Sequence, residues 1–198
     1  MEQLFIVRHA RLEGETDEKG DCFENIGFWQ ASSVIDVSIA ICGLITDKQP
    51  RKITIHDVPN TPSEESLRKQ HADIKRFVAY WSLGQLQFCD GTKIFSTSDI
   101  AAKETAMFLA TALTQGNFTT ASCLDKPEDA CELFFKSKEE YKNVILVTHH
   151  PFIRKFISLF LGKLGHNCSL SALPEINNAE ALFLNLKKNP PEIKRIKS

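Results

Sequence analysis

An arginine and two histidines stand directly after two apolar runs of the chain, where their side chains could bind and attack an anion. Arg8 and His9 follow the apolar residues 4–7, and His149 follows "NVILVT" at residues 143–148. An arginine presents a planar fork of N–H donors that matches the oxygens of a phosphate. A histidine ring that is uncharged near neutral pH can attack phosphorus, and a second histidine can stabilise charge on the phosphoryl oxygens. The three residue types therefore suit phosphoryl chemistry, although each histidine alone would also fit a surface or capping role.

The apolar pattern predicts the elements that would position these residues. Residues 3–9 and 143–150 have the short, continuous apolar runs of buried central strands, and residues 93–98 form a weaker third run. Helical patterns follow at residues 99–113 and 151–165. Strands that alternate with helices in this way favour a mostly parallel sheet. Because ligands bind at the carboxyl ends of such strands, the two histidines are expected at one edge of the sheet.

The rest of the chain completes a single predicted domain of residues 1–198. A last strand is expected at residues 180–187, and the basic tail after it is expected to be solvated. An inserted segment at about residues 45–92 has a less clear pattern. This segment could cover the site as a lid, with His56 or Asp57 reaching in, or it could pack a helix on the outer face.

Charge and composition argue against several kinds of partner. The net charge of -1 gives no global basic field for nucleic acid, and no apolar run is long enough to span a bilayer. The six cysteines are scattered without a C-x-x-C pair, which favours free thiols in a reducing, cytoplasmic setting. His9, His149 and Asp99 could be imagined around zinc, but three or four close ligands are needed, and no metal is expected.

Four short segments spread over nearly the whole chain carry motifs in a fixed order. They are "FIVRHA" at residues 5–10, "FENIGFWQA" at 23–31, "STSDIAAKETA" at 96–106 and "ILVTHHPFIR" at 145–154. Together they resemble the signatures of the histidine phosphatase superfamily, which is also called phosphoglycerate mutase-like; the second signature of that family begins a helix. The Arg-His-Ala form, the short length and the "THHP" turn look closest to the small phosphohistidine phosphatase branch.

The resemblance implies a fold, an activity and a set of roles. The implied fold is a three-layer α/β/α sandwich with a mostly parallel central sheet. The implied activity is a phosphohydrolase in which His9 is the nucleophile, forming a phosphohistidine intermediate that water then hydrolyses. Arg8 and His149 would be phosphate ligands, and no metal or organic cofactor is expected. The substrate would be a phosphorylated small molecule or a phosphoprotein.

The second arginine of the family pattern is missing from this chain. Its position falls on Ala101, and a shift of one residue gives Ala102. A charge-assisted hydrogen bond is worth roughly 1.5–3 kcal/mol, so this loss would cost ~10- to 100-fold in rate unless another cation replaces the arginine. Arg11 is the first candidate to bind substrate in its place, while Lys103 and Arg154 are expected to point away from the site.

No general acid is evident after the third signature. In the segment at residues 121–134, Glu128 and Asp129 fit a helix start better than a catalytic role. This favours phosphoramidates or substrates with acidic leaving groups, because an ordinary phosphomonoester needs more leaving-group protonation. The leading hypothesis is a phosphatase that acts through His9. The alternative is a catalytically impaired member that binds a phosphorylated ligand or protein partner. The sequence leaves the physiological substrate and the oligomeric state open.

Overall fold

The computed structural model describes residues 1–10, 12–16, 22–26, 28–48, 89–114, 116–136 and 138–197. Their strands and α-helices, in chain order, are β1 (Gln3–Arg8), β2 (Leu12–Thr16), β3 (Cys22–Ile26), α1 (Phe28–Thr46), β4 (Thr92–Ser96), α2 (Ile100–Leu113), β5 (Thr119–Thr120), α3 (Pro127–Lys136), β6 (Asn143–Thr148), α4 (His150–Lys163), β7 (Ala181–Asn185) and β8 (Glu192–Ile196). Most of the segment at residues 45–92, with His56 and Asp57, lies outside the described residues, so the lid stays a prediction.

Six of these strands form the central sheet, in the spatial order β5-β4-β6-β1-β7-β8. The first four strands run parallel to their neighbours, whereas β7 is antiparallel to β1 and β8 is antiparallel to β7. The strands β2 and β3 form a separate antiparallel pair. The prediction of a mostly parallel sheet is therefore confirmed, and β1 lies in its interior between β6 and β7.

Helices cover both faces of the sheet because alternate residues of the buried strands face opposite layers. On one face, Phe5 and Val7 of β1 pack in one cluster with residues of α1 and α2. On the other face, Leu4 and Ile6 pack with residues of α3 and α4. All four side chains are at most 1% exposed, and burying each stabilises the fold by about 1.5–3 kcal/mol. The predicted three-layer sandwich is confirmed.

The starts of α2 and α4 are fixed by local chemistry close to the carboxyl edge of the sheet. The carboxylate of Asp99 caps α2, accepting a hydrogen bond of 3.1 Å from the N–H of Ala102. Pro151 lies in the first turn of α4, where the missing N–H of a proline leaves no hydrogen bond unmade. After α4 the chain turns at Gly165, whose φ of 82° suits a residue without a side chain. Both helices therefore point their N-termini toward the carboxyl ends of the parallel strands.

One expectation about the ends of elements is wrong. The basic tail is not a solvated end: residues 192–196 form β8, and Ile196 is 7% exposed. Its lysines and Arg195 suggest a free tail, but an outer strand of a sheet accommodates such residues on its exposed positions. The helix start implied for the segment "FENIGFWQA" is confirmed: residues 22–26 form β3, and α1 begins at Phe28.

Two further features concern the environment of the chain. None of the helices in the described ranges is both long enough and apolar enough to cross a membrane. The cysteines whose side chains are described form no disulfide bonds with one another.

Candidate active site

The end of β1 brings Arg8 and His9 to the carboxyl edge of the sheet beside the end of β6. Arg8 is in register with Thr148, the last residue of β6, and the N–H of His9 donates a hydrogen bond of 2.9 Å to the carbonyl oxygen of Thr148. Neighbouring strands lie about 4.8 Å apart. His9 and His149 each follow this registered pair directly, so the structure places their backbones next to each other at one edge.

Both the backbone and the side chain of Arg8 are held by the turn that precedes β7. The N–H of Arg8 donates to the carbonyl oxygen of Glu180 at 2.9 Å, and Nη1 donates to the carbonyl oxygen of Ile176 at 2.8 Å. A guanidinium has five N–H donors, and the described hydrogen bonds occupy one of them. The side chain is half-buried, so its orientation is set on one side while donors remain for an anion.

The ring of His9 has a defined tautomer in its neutral form. Nδ1 lies 2.8 Å from the carbonyl oxygen of Ala10. A carbonyl oxygen only accepts hydrogen bonds, so Nδ1 carries the proton in this contact. The lone pair of the neutral ring is therefore on Nε2, the nitrogen farther from the backbone. This is the arrangement that a nucleophilic imidazole needs.

Thr105 connects helix α2 to the residue that follows His9. Its hydroxyl accepts a hydrogen bond of 2.9 Å from the N–H of Ala10 and donates one of 2.7 Å to the carbonyl oxygen of Ala101. Thr105 and Ala10 are both fully buried, so this N–H has no access to water. The hydroxyl therefore fixes the chain just beyond His9 against the first turn of α2.

His149 lies at the junction of β6 and α4. It has extended backbone angles and occupies the N-cap position of the helix without a side-chain capping bond. Its ring lies edge-on to Phe152, with ring centroids 5.9 Å apart. The N-terminus of a helix carries partial positive charge and favours a nearby anion, and His149 stands at this terminus. His150, the next residue, is the first residue of α4.

Unpaired buried polar atoms collect at this edge of the sheet. In the described part of the chain, Thr97 Oγ1, Thr148 Oγ1 and Arg8 Nε are buried and have no hydrogen-bond partner. These residues lie at or just beyond the carboxyl ends of three adjacent strands, β4, β6 and β1. Each such atom costs about 1–3 kcal/mol, and uncompensated costs of this kind are found most often at functional sites.

The predicted replacements for the second arginine have different positions. Arg11 lies outside the described residues, so its role as a substrate ligand stays a prediction. Lys103 is exposed. The guanidinium of Arg154 donates to the carbonyl oxygen of Leu170 at 2.7 Å and lies 3.8 Å from a carboxylate oxygen of Glu175.

The positions Ala101 and Ala102 are 4% and 0% exposed. None of these described side chains supplies a second guanidinium at the site.

The acidic residues considered above have structural contacts. Glu128 and Asp129 lie in the first turn of α3, and Lys155 hydrogen-bonds the Glu128 carboxylate and lowers its pKa. Asp99 caps α2. Within the described ranges, no group of three or more His, Cys, Asp and Glu side chains is arranged to hold a metal ion.

No pattern in the sequence indicates the residues that hold Arg8 in place. Glu180 is 5% exposed and accepts two hydrogen bonds of 2.9 Å each from Arg195. Glu180 was expected inside a strand and Arg195 inside a solvated tail. Their pairing depends on the register of β7 with β8, which places Leu182 opposite Arg195, and no local spacing predicts that register.

Comparisons with known proteins agree with this architecture. No family model matches the chain, and no curated protein sequence matches it significantly. A candidate phosphohistidine phosphatase, SixA, from Agrobacterium tumefaciens has a TM-score of 0.57 and 11% identity, covering 100% of this chain and 99% of that one. The protein histidine phosphatase SixA complexed with tungstate has a TM-score of 0.52 and 11% identity, covering 98% of this chain and 96% of that one.

A third solved structure extends the likeness to a different substrate class. A mutant phosphoserine phosphatase from Entamoeba histolytica in complex with phosphoserine has a TM-score of 0.52 and 11% identity, covering 100% of this chain and 98% of that one. At this identity the likenesses show the fold alone. The architecture that the resemblance implies is thereby confirmed: the chain has the α/β fold of these solved phosphatase structures.

Proposed function

We propose that the protein is a phosphohydrolase of the histidine phosphatase superfamily that acts through a covalent intermediate on His9. The observation that carries this proposal is the hydrogen bond of 2.8 Å between His9 Nδ1 and the Ala10 carbonyl oxygen. This bond directs the lone pair of the neutral ring to Nε2, at the edge of the sheet that also holds Arg8 and His149.

The proposed reaction has two displacements at phosphorus. In the first, His9 Nε2 attacks, the bond from phosphorus to the leaving group breaks, and the leaving group departs with the bonding electron pair and takes up a proton from solvent. In the second, a water oxygen attacks phosphorus, the bond to Nε2 breaks with its electron pair returning to the ring, and inorganic phosphate leaves with the protons of that water, which it exchanges with solvent. Arg8 and His149 stabilise the charge that develops on the phosphoryl oxygens in both steps, aided by the N-terminus of α4.

The substrate class is proposed from the acidic residues and from the named neighbours. Glu128 is engaged by Lys155 at 2.6 Å and Asp99 caps a helix, so neither is positioned as a general acid. A substrate whose leaving group departs without strong protonation, such as a phosphohistidine, suits this site better than an alkyl phosphate. The likeness to SixA structures, one of them with tungstate bound, supports the same choice.

A second candidate function is favoured by the start of α2. The chain has buried alanines at Ala101 and Ala102, where the resemblance calls for an arginine. A protein that keeps Arg8 and the two histidines but lacks this clamp could bind a phosphorylated ligand without turning it over.

One experiment separates the two functions. Purified protein is mixed with para-nitrophenyl phosphate and, separately, with a phosphohistidine peptide, and release of inorganic phosphate is measured. The proposal expects turnover that is lost by at least ~10³-fold in His9→Ala, since the nucleophile is gone. His166→Ala is the matched control, because His166 follows the far end of α4, about 20 Å of helix from its N-terminus.

The possible results are distinct. Turnover that survives in His9→Ala rules out His9 as the nucleophile. No turnover of either substrate, together with saturable binding of orthovanadate that is lost in Arg8→Ala, supports the binding protein instead. Trapping a radiolabelled phosphoryl group on the wild type, but not on His9→Ala, would support the covalent step directly.

A further inference from the structure

The turn at residues 176–180 contacts both residues at the end of β1. The carbonyl oxygen of Ile176 accepts the hydrogen bond from Arg8 Nη1 at 2.8 Å. The N–H of Ala179 donates to the carbonyl oxygens of Arg8 and His9, at 3.0 and 3.3 Å. The carbonyl oxygen of Glu180 accepts from the N–H of Arg8 at 2.9 Å. The position of this turn therefore sets the position of the Arg8 guanidinium.

The turn has an unfavourable backbone conformation that its surroundings must maintain. Ala179 has a φ of 57°, in the left-handed region that an alanine rarely adopts. Its side chain is fully buried, so the conformation is not relieved at a free surface. Strained residues of this kind persist only when neighbouring contacts fix them.

Besides these backbone hydrogen bonds, the side-chain contacts that fix the turn come from the carboxylate of Glu180. One of its oxygens accepts a hydrogen bond of 2.6 Å from the N–H of Asn177 and closes the turn on itself. Arg195 of β8 donates two hydrogen bonds of 2.9 Å to the two oxygens, one from Nε and one from Nη2. This planar, two-point contact sets the carboxylate in one orientation. The chain of contacts runs from β8 through the carboxylate and the turn to Arg8.

We propose that Glu180 and Arg195 are positioning residues, which hold the 176–180 turn so that Arg8 keeps its guanidinium directed at the phosphoryl group. The inference rests on the proposed function for its catalytic consequence. Neither residue touches the substrate: both act through the Ile176 carbonyl oxygen and the backbone of Arg8. A small displacement of a phosphate ligand is enough to slow turnover substantially.

The test compares Arg195→Ala with Lys194→Ala, a change of the same charge at the neighbouring position of β8. Lys194 pairs with Glu192 and is exposed. Kinetics and orthovanadate inhibition are measured at a temperature where each variant is folded. Arg195→Ala should lower kcat/KM about 10- to 100-fold and weaken orthovanadate binding in proportion. Lys194→Ala should leave both values unchanged.

A double-mutant cycle shows whether the effect passes through Arg8. If Arg195 acts through Arg8, Arg195→Ala should have almost no further effect on kcat/KM in an Arg8→Ala background, because the two changes remove the same interaction. Arg195→Lys keeps the charge but loses the planar fork, so it should have an intermediate effect. That variant carries the test if Arg195→Ala does not fold.

A merely structural role gives different results. A lower melting temperature with unchanged kcat/KM and unchanged orthovanadate affinity of the folded protein would overturn the inference. So would equal losses from Arg195→Ala in the wild-type and Arg8→Ala backgrounds.

The positioning role of Glu180 and Arg195 can also be tested if the wild type has no phosphatase activity. With a wild type that turns over no substrate, orthovanadate affinity and amide hydrogen exchange of Ala179 remain as readouts. Faster exchange of the Ala179 amide together with weaker orthovanadate binding in Arg195→Ala supports the positioning role. Unchanged exchange and unchanged binding refute it.

Discussion

The end of β1 and the start of α2 meet at the same edge of the sheet, but they offer an anion very different surroundings. At the end of β1, the carbonyl oxygen of Ile176 orients the Arg8 guanidinium. The carbonyl oxygen of Ala10 orients the His9 ring. At the start of α2, the chain presents Ala101 and Ala102, which are buried and have no polar side chain. The N-terminus of α2 is capped by Asp99, a carboxylate.

This difference shows that the packing of the site and its positive charge depend on different residues. Thr105 still joins α2 to Ala10 through its hydroxyl, so the helix keeps the contact that shapes the β1 side. The cation that the resemblance places one turn earlier is absent. In the proposed site, binding of an anion would therefore depend on the β1 and β6 side.

The largest expected effect comes from restoring the missing charge. Ala101→Arg should raise kcat/KM by ~10- to 100-fold, because one charge-assisted hydrogen bond contributes about 1.5–3 kcal/mol. The measurement is steady-state hydrolysis of a phosphohistidine peptide, with orthovanadate affinity as a second readout.

The control for this prediction is Ile100→Arg, which adds the same charge in the same helical turn at a position that is 52% exposed. An equal gain in both variants would mean that general attraction of anions, and not a phosphate clamp, is responsible. No gain in Ala101→Arg would mean that the α2 side of the pocket does not reach the phosphoryl group.

A smaller effect is expected from removing the hydrogen bond that joins the two regions, between the N–H of Ala10 and the hydroxyl of Thr105. Thr105→Val leaves the buried N–H of Ala10 without an acceptor, which costs about 1–3 kcal/mol. Urea denaturation should show this loss of stability. Thr111→Val is the matched control, because Thr111 makes the same kind of bond to the carbonyl oxygen four residues earlier, at 2.8 Å. Equal losses in the two variants would contradict a special role for the contact with Ala10.

The smallest effect is expected on the α3–α4 surface, remote from both regions. The pKa of Glu132 is lowered by its hydrogen bond with Lys163, so its contribution to stability is present above the ordinary glutamate pKa and is lost as the pH falls through the lowered value. Glu132→Gln should lower the melting temperature slightly at pH 7, and this difference should shrink as the pH falls below 4.5, the ordinary glutamate pKa.

Glu139→Gln, the same change at another exposed glutamate, is the reference for this comparison. A difference that grows on acidification would have the wrong sign. Neither variant should alter hydrolysis, so the pair also measures how little an ordinary surface charge affects the site.

The sequence predicted the parts of the fold that local chemistry dictates. The apolar runs that became β1, β4 and β6 are buried on both faces, and the helical patterns at residues 99–113 and 151–165 correspond to α2 and α4. The strand β8 was missed because its lysine and arginine look like those of a solvated tail. What makes it a strand is pairing with β7, a contact that no local pattern contains.

In the candidate site, too, some features could be predicted from the sequence and others could not. Arg8, His9 and His149 could be chosen from residue type and position, and the structure places them at one edge; their catalytic roles stay a proposal. The hydrogen bond of the His9 ring to the adjacent Ala10 is local, but residue type alone does not dictate it. The turn that orients Arg8 depends on a contact between residues 168 positions apart and could not be predicted.

The interior position of β1 has a consequence for the synthesis of the chain. Its hydrogen-bonding neighbours are residues 143–148 and 181–185, so both edges of the first strand wait for segments translated much later. At ~5–20 residues per second, that wait lasts roughly 10–40 s. During this time β1 is an apolar strand with two unpaired edges, which can pair with strands of other chains. We therefore expect the nascent chain to bind a chaperone until β6 and β7 have been translated.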